Sequence, residues 1–304
     1  MRIVSARFES AALGALFAFW RRAPWPLALA SARLFGDLLF DVVRIRRRVT
    51  LANLRAAFPE KGEPEIGRIA RDCYRCFATT AMEFAKLPFL SDEDVRARVE
   101  IPPGEAFDRI LRSDRGAILL TGHFGNWELA AAVFPVLGRR VHVLAGEQHN
   151  PYVTRRMDAI RESRGLSVLS VEKDLRGIAA ALRGGSLLAI VADQDAGRDG
   201  IFVPFLGREA STAVGPIRLA QRYGVPVLFA VARHLPGGRV RLEWAEPFTV
   251  PKEGDAEAIV AERTRLWSGM LEEQVRRYPE QWFWMHRRWK TRPEAARARK
   301  EATG

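Results

Sequence analysis

Short apolar segments alternate with stretches of helical periodicity through the second half of the chain, and that alternation predicts the fold class. Strands are expected at Ala117–Thr121, Arg140–Leu144, Leu166–Val171, Leu187–Ala192, Val225–Ala232 and Val240–Trp244. Helical periodicity falls between or after them, at Asn126–Val136, Tyr152–Arg164, Leu175–Arg183, Thr212–Tyr223 and Ala256–Arg277. Upstream, a helix from Pro64 to Lys86 stops before Pro88, and a shorter one starts after Ser91, with three acids in its first turn. Strands separated by helices imply an α/β domain built on a largely parallel, covered sheet with flanking helices. No internal repeat and no low-complexity linker divides it.

The first sixty residues have a different pattern. A membrane-spanning helix needs about 20 nearly uncharged apolar residues. The run Ala11–Trp20 is half that length and ends at Arg21 and Arg22, with no small-residue cleavage site after it. Further on, Leu34, Phe35, Leu38, Leu39, Val42 and Val43 share one helical face, opposite Arg33, Asp37, Asp41 and Arg44. Trp20 and Trp25 lie upstream, with rings suited to the headgroup level. The pattern predicts an amphipathic helical membrane attachment lying in the interface; the plainer reading is a helix packed on the core. The expected organisation is therefore a membrane-associated helical region at 1–60, an α/β domain at 61–293 and a basic tail at 294–304.

Charge and cysteine content sharpen this picture. The formal net charge of +12 asks for a polyanionic neighbour such as anionic lipid, nucleic acid or an acidic protein. Much of the excess is concentrated at Arg44, Arg46, Arg47 and Arg48, and at Arg287, Arg288, Lys290, Arg292, Arg297, Arg299 and Lys300. Cys73 and Cys76 are the only cysteines, too few for a four-ligand zinc site, and their helical setting reads as buried packing. No metal and no cofactor is expected.

The segment Thr121-Gly-His-Phe-Gly-Asn-Trp-Glu-Leu-Ala130 carries the candidate chemistry, because it leaves a strand's C-terminal end, where open α/β sheets place ligands. In one continuous helix, His123 and Glu128 would be about 140° apart in rotation. A turn at Gly122 and Gly125 is therefore needed to bring them together. A carboxylate on one imidazole nitrogen fixes the tautomer and leaves the other nitrogen as a base for a hydroxyl. No Gly-x-Ser-x-Gly nucleophile elbow occurs. His142, His149 and His234 have no motif around them.

Gly122-His-Phe-Gly-Asn-Trp-Glu128 resembles the His-x4-Asp/Glu motif of the glycerolipid acyltransferases, and within them the lauroyl and myristoyl transferases of lipid A biosynthesis. Further matches are Asn53–Pro59, Asn150–Gly165, Ala192–Asp195, Phe202–Gly207 and Ala210–Thr212. The most specific match is Tyr278-Pro-Glu-Gln-Trp-Phe-Trp-Met-His-Arg-Arg-Trp-Lys-Thr-Arg-Pro293, so the likeness covers roughly residues 40 to 293. The resemblance implies an acyl carrier protein thioester as donor and a lipid acceptor, at the cytoplasmic face of the inner membrane. It implies His123 as general base, Glu128 as its orienting partner and no covalent acyl-enzyme. Arg161 or Arg164 would stabilise oxyanion charge or hold a headgroup. Asp193 and Asp195 would shape the acceptor site or pair with an arginine, with Thr212 in the same block. His286 would make a structural hydrogen bond.

Two other readings compete. One is acylation of a different lipid: a lysophospholipid, a phosphatidylinositol mannoside or an ornithine lipid. The other is a non-catalytic basic protein on nucleic acid or anionic membrane, but no nucleic-acid motif is present and that reading leaves the His/Glu pair unexplained.

Overall fold

The computed structural model describes residues 14–146, 150–170 and 173–293. Residues 11–13 of the first apolar run, Val171, His149 and the tail 294–304 with Arg297, Arg299 and Lys300 lie outside them.

The chain opens with a helix over 14–22 (α1), then α2 (Trp25–Asp37), which runs on through a π-turn at Leu38–Val43. Two helices follow, α3 (Arg47–Ala57) and α4 (Glu63–Lys86). α5 (Asp92–Arg98) is closed by a capping box in which Ser91 and Asp94 exchange hydrogen bonds. After β1 (Val99–Glu100) and α6 (Glu105–Arg112) the alternation begins: β2 (Ala117–Thr121), α7 (Trp127–Val136), β3 (Val141–Ala145), α8 (Pro151–Glu162), β4 (Leu166–Ser170), α9 (Leu175–Arg183) and β5 (Leu187–Val191). A hairpin of β6 (Ile201–Phe205) and β7 (Arg208–Thr212) leads to α10 (Gly215–Tyr223), β8 (Val227–Leu235), β9 (Arg239–Trp244) and α11 (Ala256–Arg277).

Seven strands form one sheet in the order β1-β9-β8-β2-β5-β3-β4, and every neighbouring pair is parallel except the β8–β9 hairpin. The expected covered sheet is present. Successive residues of β2 enter opposite cores: Ile118 and Leu120 pack with α9, α10 and α11, whereas Ala117 and Leu119 pack with α6, α7 and α8.

Helices α3 and α6 and strands β1, β6 and β7 were not anticipated from the pattern. β1 is two residues long, and the β6–β7 segment reads as a loop because Pro204 interrupts its apolar run. Its turn is a two-residue one in which Leu206 and Gly207 both take positive φ, 53° and 75°.

The N-terminal region corrects one expectation and sharpens another. Trp20 is only 1% exposed and donates to Ser31 Oγ at 3.2 Å, so it belongs to the core and not to a headgroup layer. The guanidinium of Arg98 covers the Trp25 ring, 3.5 Å from its centroid. Helix α2 packs on α4 through its small residues Ala28, Ala32 and Gly36, while Asp37 pairs with Arg75 and Asp41 with Arg71. Leu34 and Val42, each 70% exposed, face outward with Leu38 beside them, whereas Phe35 and Leu39 of the expected apolar face pack inward and Phe40 is buried. No helix among the described residues is long and apolar enough to cross a membrane.

A Cβ on Gly36 would lie 2.7 Å from the Cα of Arg75, so the close approach of α2 to α4 requires glycine there. Gly36→Leu should destabilise the protein by about 1–3 kcal/mol, measured by denaturant titration. An unchanged midpoint would mean that α2 does not pack as closely as described.

Candidate active site

β2 and β5 are parallel neighbours, with Thr121 paired to Val191. Each strand runs two residues further before its chemistry appears, Thr121-Gly-His123 and Val191-Ala-Asp193, so the pairing register sets imidazole and carboxylate side by side. The Asp193 carboxylate accepts from the His123 backbone amide at 2.8 Å and from Trp282 Nε1 at 2.7 Å, both on Oδ2. Its Oδ1 lies 2.7 Å from His123 Nδ1.

Burial opposes a charge on Asp193. The His123 imidazole and the hydrogen bonds from His123 and Trp282 outweigh it and hold the carboxyl down to about 2. An ionised carboxylate only accepts, so His123 Nδ1 carries the proton of that bond. In the neutral imidazole Nε2 then keeps its lone pair, and it has no hydrogen-bond partner among the described residues.

The contact expected between His123 and Glu128 is not made. Gly125 turns the chain with φ +54°, and Asn126 caps α7 by accepting from the Leu129 amide, which carries Glu128 into the first helical turn and toward α8. There its carboxylate takes both prongs of Arg161, at 2.5 Å from Nη2 and 3.0 Å from Nε. Glu128 is 5% exposed and Arg161 8%, so this is a buried ion pair. Burial opposes the Arg161 charge, but the neighbouring carboxylates of Glu128 and Asp158 prevail and raise its pKa.

The other sequence candidates separate. Arg164 is turned away, donating to the Leu90 carbonyl at 3.1 Å and pairing with Asp92, where it ties α8 to the start of α5. Asp195 accepts from Thr291 Oγ1 at 2.8 Å, and its own amide donates to His286 Nε2 at 3.0 Å. Neither aspartate pairs with an arginine. Thr212 is buried and accepts from Arg288 Nη2 at 2.5 Å. Arg288 is itself buried, its pKa pushed down to about 10 by desolvation, so it is not part of the surface basic cluster; Arg287 and Lys290 are exposed.

Beside His123 opens a pocket of about 430 Å³. His123, Glu128, Arg161 and Gln194 are among its polar lining and Leu119, Phe134, Val143 and Leu242 among its apolar lining. The space exists because alanines face one another across it, Ala189 and Ala230 from the sheet and Ala130 and Ala131 from α7. The C-terminal signature closes the other side. The Phe283 amide donates to the His123 carbonyl at 3.0 Å and the Gly125 amide to the Gln281 carbonyl at 2.8 Å. Asn53 holds that signature through the Trp284 and His286 carbonyls. Trp282, Asn126 and the partnership of Asp193 with the imidazole escaped sequence reasoning, although the matching two-residue step after two buried strands pointed to the last.

The family profile described as bacterial lipid A biosynthesis acyltransferase matches residues 5–291. The chain is 28% identical to the lipid A biosynthesis lauroyltransferase of Escherichia coli K12, over 91% of this chain and 89% of that protein. It is 25% identical to the lipid A biosynthesis palmitoleoyltransferase of the same organism, over 92% and 90% respectively. A phosphatidylinositol mannoside acyltransferase of Mycolicibacterium smegmatis is 28% identical over 59% of this chain and 58% of its own.

Asparagine at 193 could satisfy only one side of its environment, because its amide nitrogen would face a donor at either Oδ1 or Oδ2. Asp193→Asn should therefore cost about 1–3 kcal/mol of stability in urea titration. The ¹⁵N spectrum of His123 should also lose its single Nδ1–H tautomer. A variant with both properties unchanged would refute the assigned partnership.

Proposed function

The chain belongs to the bacterial lipid A biosynthesis acyltransferases, and we propose that it moves a fatty acyl group from an acyl carrier protein thioester onto a hydroxyl of a lipid A precursor. The observation that carries this reading is the apolar pocket with a free imidazole nitrogen beside it. An acyl chain fills the pocket among Leu119, Phe134 and Leu242, leaving the thioester carbonyl beside His123. The acceptor hydroxyl gives its proton to Nε2 as its oxygen attacks the carbonyl carbon. Asp193 stabilises the imidazolium that forms. Collapse of the tetrahedral intermediate breaks the carbon–sulfur bond, and the imidazolium returns its proton to the departing thiolate.

Arg161, and not Arg164, supplies positive charge near the developing oxyanion. Glu128 acts through Arg161, fixing its fork, and not through the imidazole. Attack is direct, since no serine or cysteine lines the pocket among the described residues. The acidic carrier and the phosphorylated acceptor suit the chain's basic excess, and Arg287, Lys290 and Arg292 are exposed basic residues in the C-terminal signature.

The site works at a membrane surface, at the cytoplasmic face of the inner membrane. The outward side chains Leu34, Leu38, Val42, Val43 and Ile45, with Arg44 and Arg48 alongside, support an interfacial attachment. Their acids are already engaged inward with Arg71 and Arg75.

The test is transfer from labelled acyl carrier protein thioesters to a panel of lipids, read by mass spectrometry. A lipid A precursor should be the preferred acceptor. Preference for a phosphatidylinositol mannoside, a lysophospholipid or an ornithine lipid would replace that assignment. His123→Ala should lower turnover by roughly 10²–10⁴-fold with the melting curve retained, and near-normal turnover would end the mechanism. Replacing Leu34, Leu38 and Val42 together with glutamate should weaken sedimentation with phosphatidylglycerol vesicles by about tenfold or more. Each lost apolar side chain removes on the order of 1.5 kcal/mol of burial. Unchanged sedimentation of a folded variant would place the membrane contact elsewhere.

A further inference from the structure

A second constellation lies on the far side of the His123 loop. Cys76 and Glu83 are seven residues apart on α4, two helical turns, and therefore on one face. The end of β8 inserts His234 between them. Its Nδ1 lies 3.3 Å from Cys76 Sγ, and its Nε2 lies 3.0 Å from Glu83 Oε2. Thiol, imidazole and carboxylate thus stand in line, the order in which a base oriented by an acid activates a nucleophile. The two ring nitrogens point to opposite edges, so the three groups do not converge on one point as metal ligands would.

The arrangement is held firmly. Gln281 clamps the His234 backbone, accepting from its amide at 2.8 Å and donating to its carbonyl at 3.4 Å. Glu83 Oε2 also accepts from Asn126 Nδ2 at 2.6 Å, whereas its Oε1 is buried without a partner. Glu83 is 2% exposed, so its charge needs the imidazole beside it. Burial disfavours a proton charge on His234, but Cys76 and Glu83 raise its pKa well above the ordinary value.

The two cysteines are therefore not alike. Cys73 is buried, its thiol donates to the Trp282 carbonyl at 3.1 Å, and burial raises its pKa. Cys76 instead borders an open pocket of about 360 Å³ between α2, α4 and the β8–β9 turn. The sequence reading of both as packing residues holds for Cys73 alone. Arg33, Asp72, Arg75 and Glu280 line that pocket, Arg75 being paired with Asp37 and Asp72, and on its other side Cys76 shares a narrow crevice with Phe77, His123 and Trp127.

We propose that Cys76, with His234 and Glu83, is a second nucleophilic site that accepts an acyl group from a phosphopantetheine thioester. Arg33 suits the phosphate of that arm, and a thiol beside a base exchanges with a thioester. Only the identity of the electrophile rests on the acyl-transfer reading above. Cys76 Sγ attacks the thioester carbonyl, a new carbon–sulfur bond forms and the bond to pantetheine breaks. The proton on His234 goes to the departing sulfur, leaving neutral imidazole and S-acyl-Cys76. Lipid transfer at His123 does not pass through this thioester.

The full-length protein is incubated with dodecanoyl-coenzyme A and, in a second arm, with dodecanoyl acyl carrier protein, and read by intact mass and peptide mapping. A single hydroxylamine-sensitive adduct on Cys76 is expected in the wild type and in His123→Ala, and none in Cys76→Ser. Reaction with only one of the two donors identifies the carrier that the rim accepts. His234→Gln should slow adduct formation at least tenfold. In the unaltered protein Cys76 should alkylate with iodoacetamide at pH 6.5 at least about tenfold faster than free cysteine, which tests activation without any variant. No adduct from either donor, an adduct surviving Cys76→Ser, or alkylation no faster than free cysteine overturns the proposal. An adduct with no lipid transfer by the wild type would sink the proposed function and leave this site standing; transfer without an adduct would do the reverse.

Discussion

One buried carboxylate organises the centre of this protein. Asp193 accepts three hydrogen bonds from two parts of the chain far apart in sequence: the loop after β2, and the C-terminal signature through Trp282. These donors and the His123 imidazole compensate its removal from water, so the charge depends on strand register, loop and tail being in place. The same bonds fix the imidazole tautomer. Fold and chemistry are therefore coupled through one residue, and the tail signature is the inner wall of the site, not an appendage to it.

Much of the scaffold was legible because its signals are local. Buried parallel strands such as Ala117–Thr121 and Leu187–Val191 are apolar at nearly every position, and α9 and α11 show helical spacing from end to end. The elements that were missed carry their signal elsewhere. β1 is defined by pairing with β9, and the β6–β7 hairpin by a turn in which a leucine takes positive φ. Local pattern reports neither.

The site was half legible for a related reason. His123 and Glu128 stand close in sequence, and proximity along the chain suggested contact between them. In a parallel sheet, however, the neighbour of a strand-end residue is the strand-end residue next door, here seventy positions away. Glu128 was freed to meet Arg161, which resides on α8. Arg164, just past the end of α8, shares the charge but not the direction, and of the two only Arg161 lines the pocket.

The distribution of small side chains gives these pieces a common direction. α2 uses alanine and glycine where it meets α4, and Leu34, Leu38 and Val42 on and after it are left outside; the pocket is open because alanines line facing walls of sheet and α7. In both places bulk is withheld from an interior contact, and the result is apolar surface that the protein does not cover by itself. An outward greasy helix and an inward greasy slot are complementary demands for lipid, one for the surface of a bilayer and one for a single acyl chain. The Arg161–Glu128 pair and His123, which Asp193 holds, line the slot among its apolar side chains. Burying the Arg161–Glu128 ion pair and the Asp193 carboxylate there costs desolvation that packing alone would avoid, and the proposed reaction gives those charges work to do.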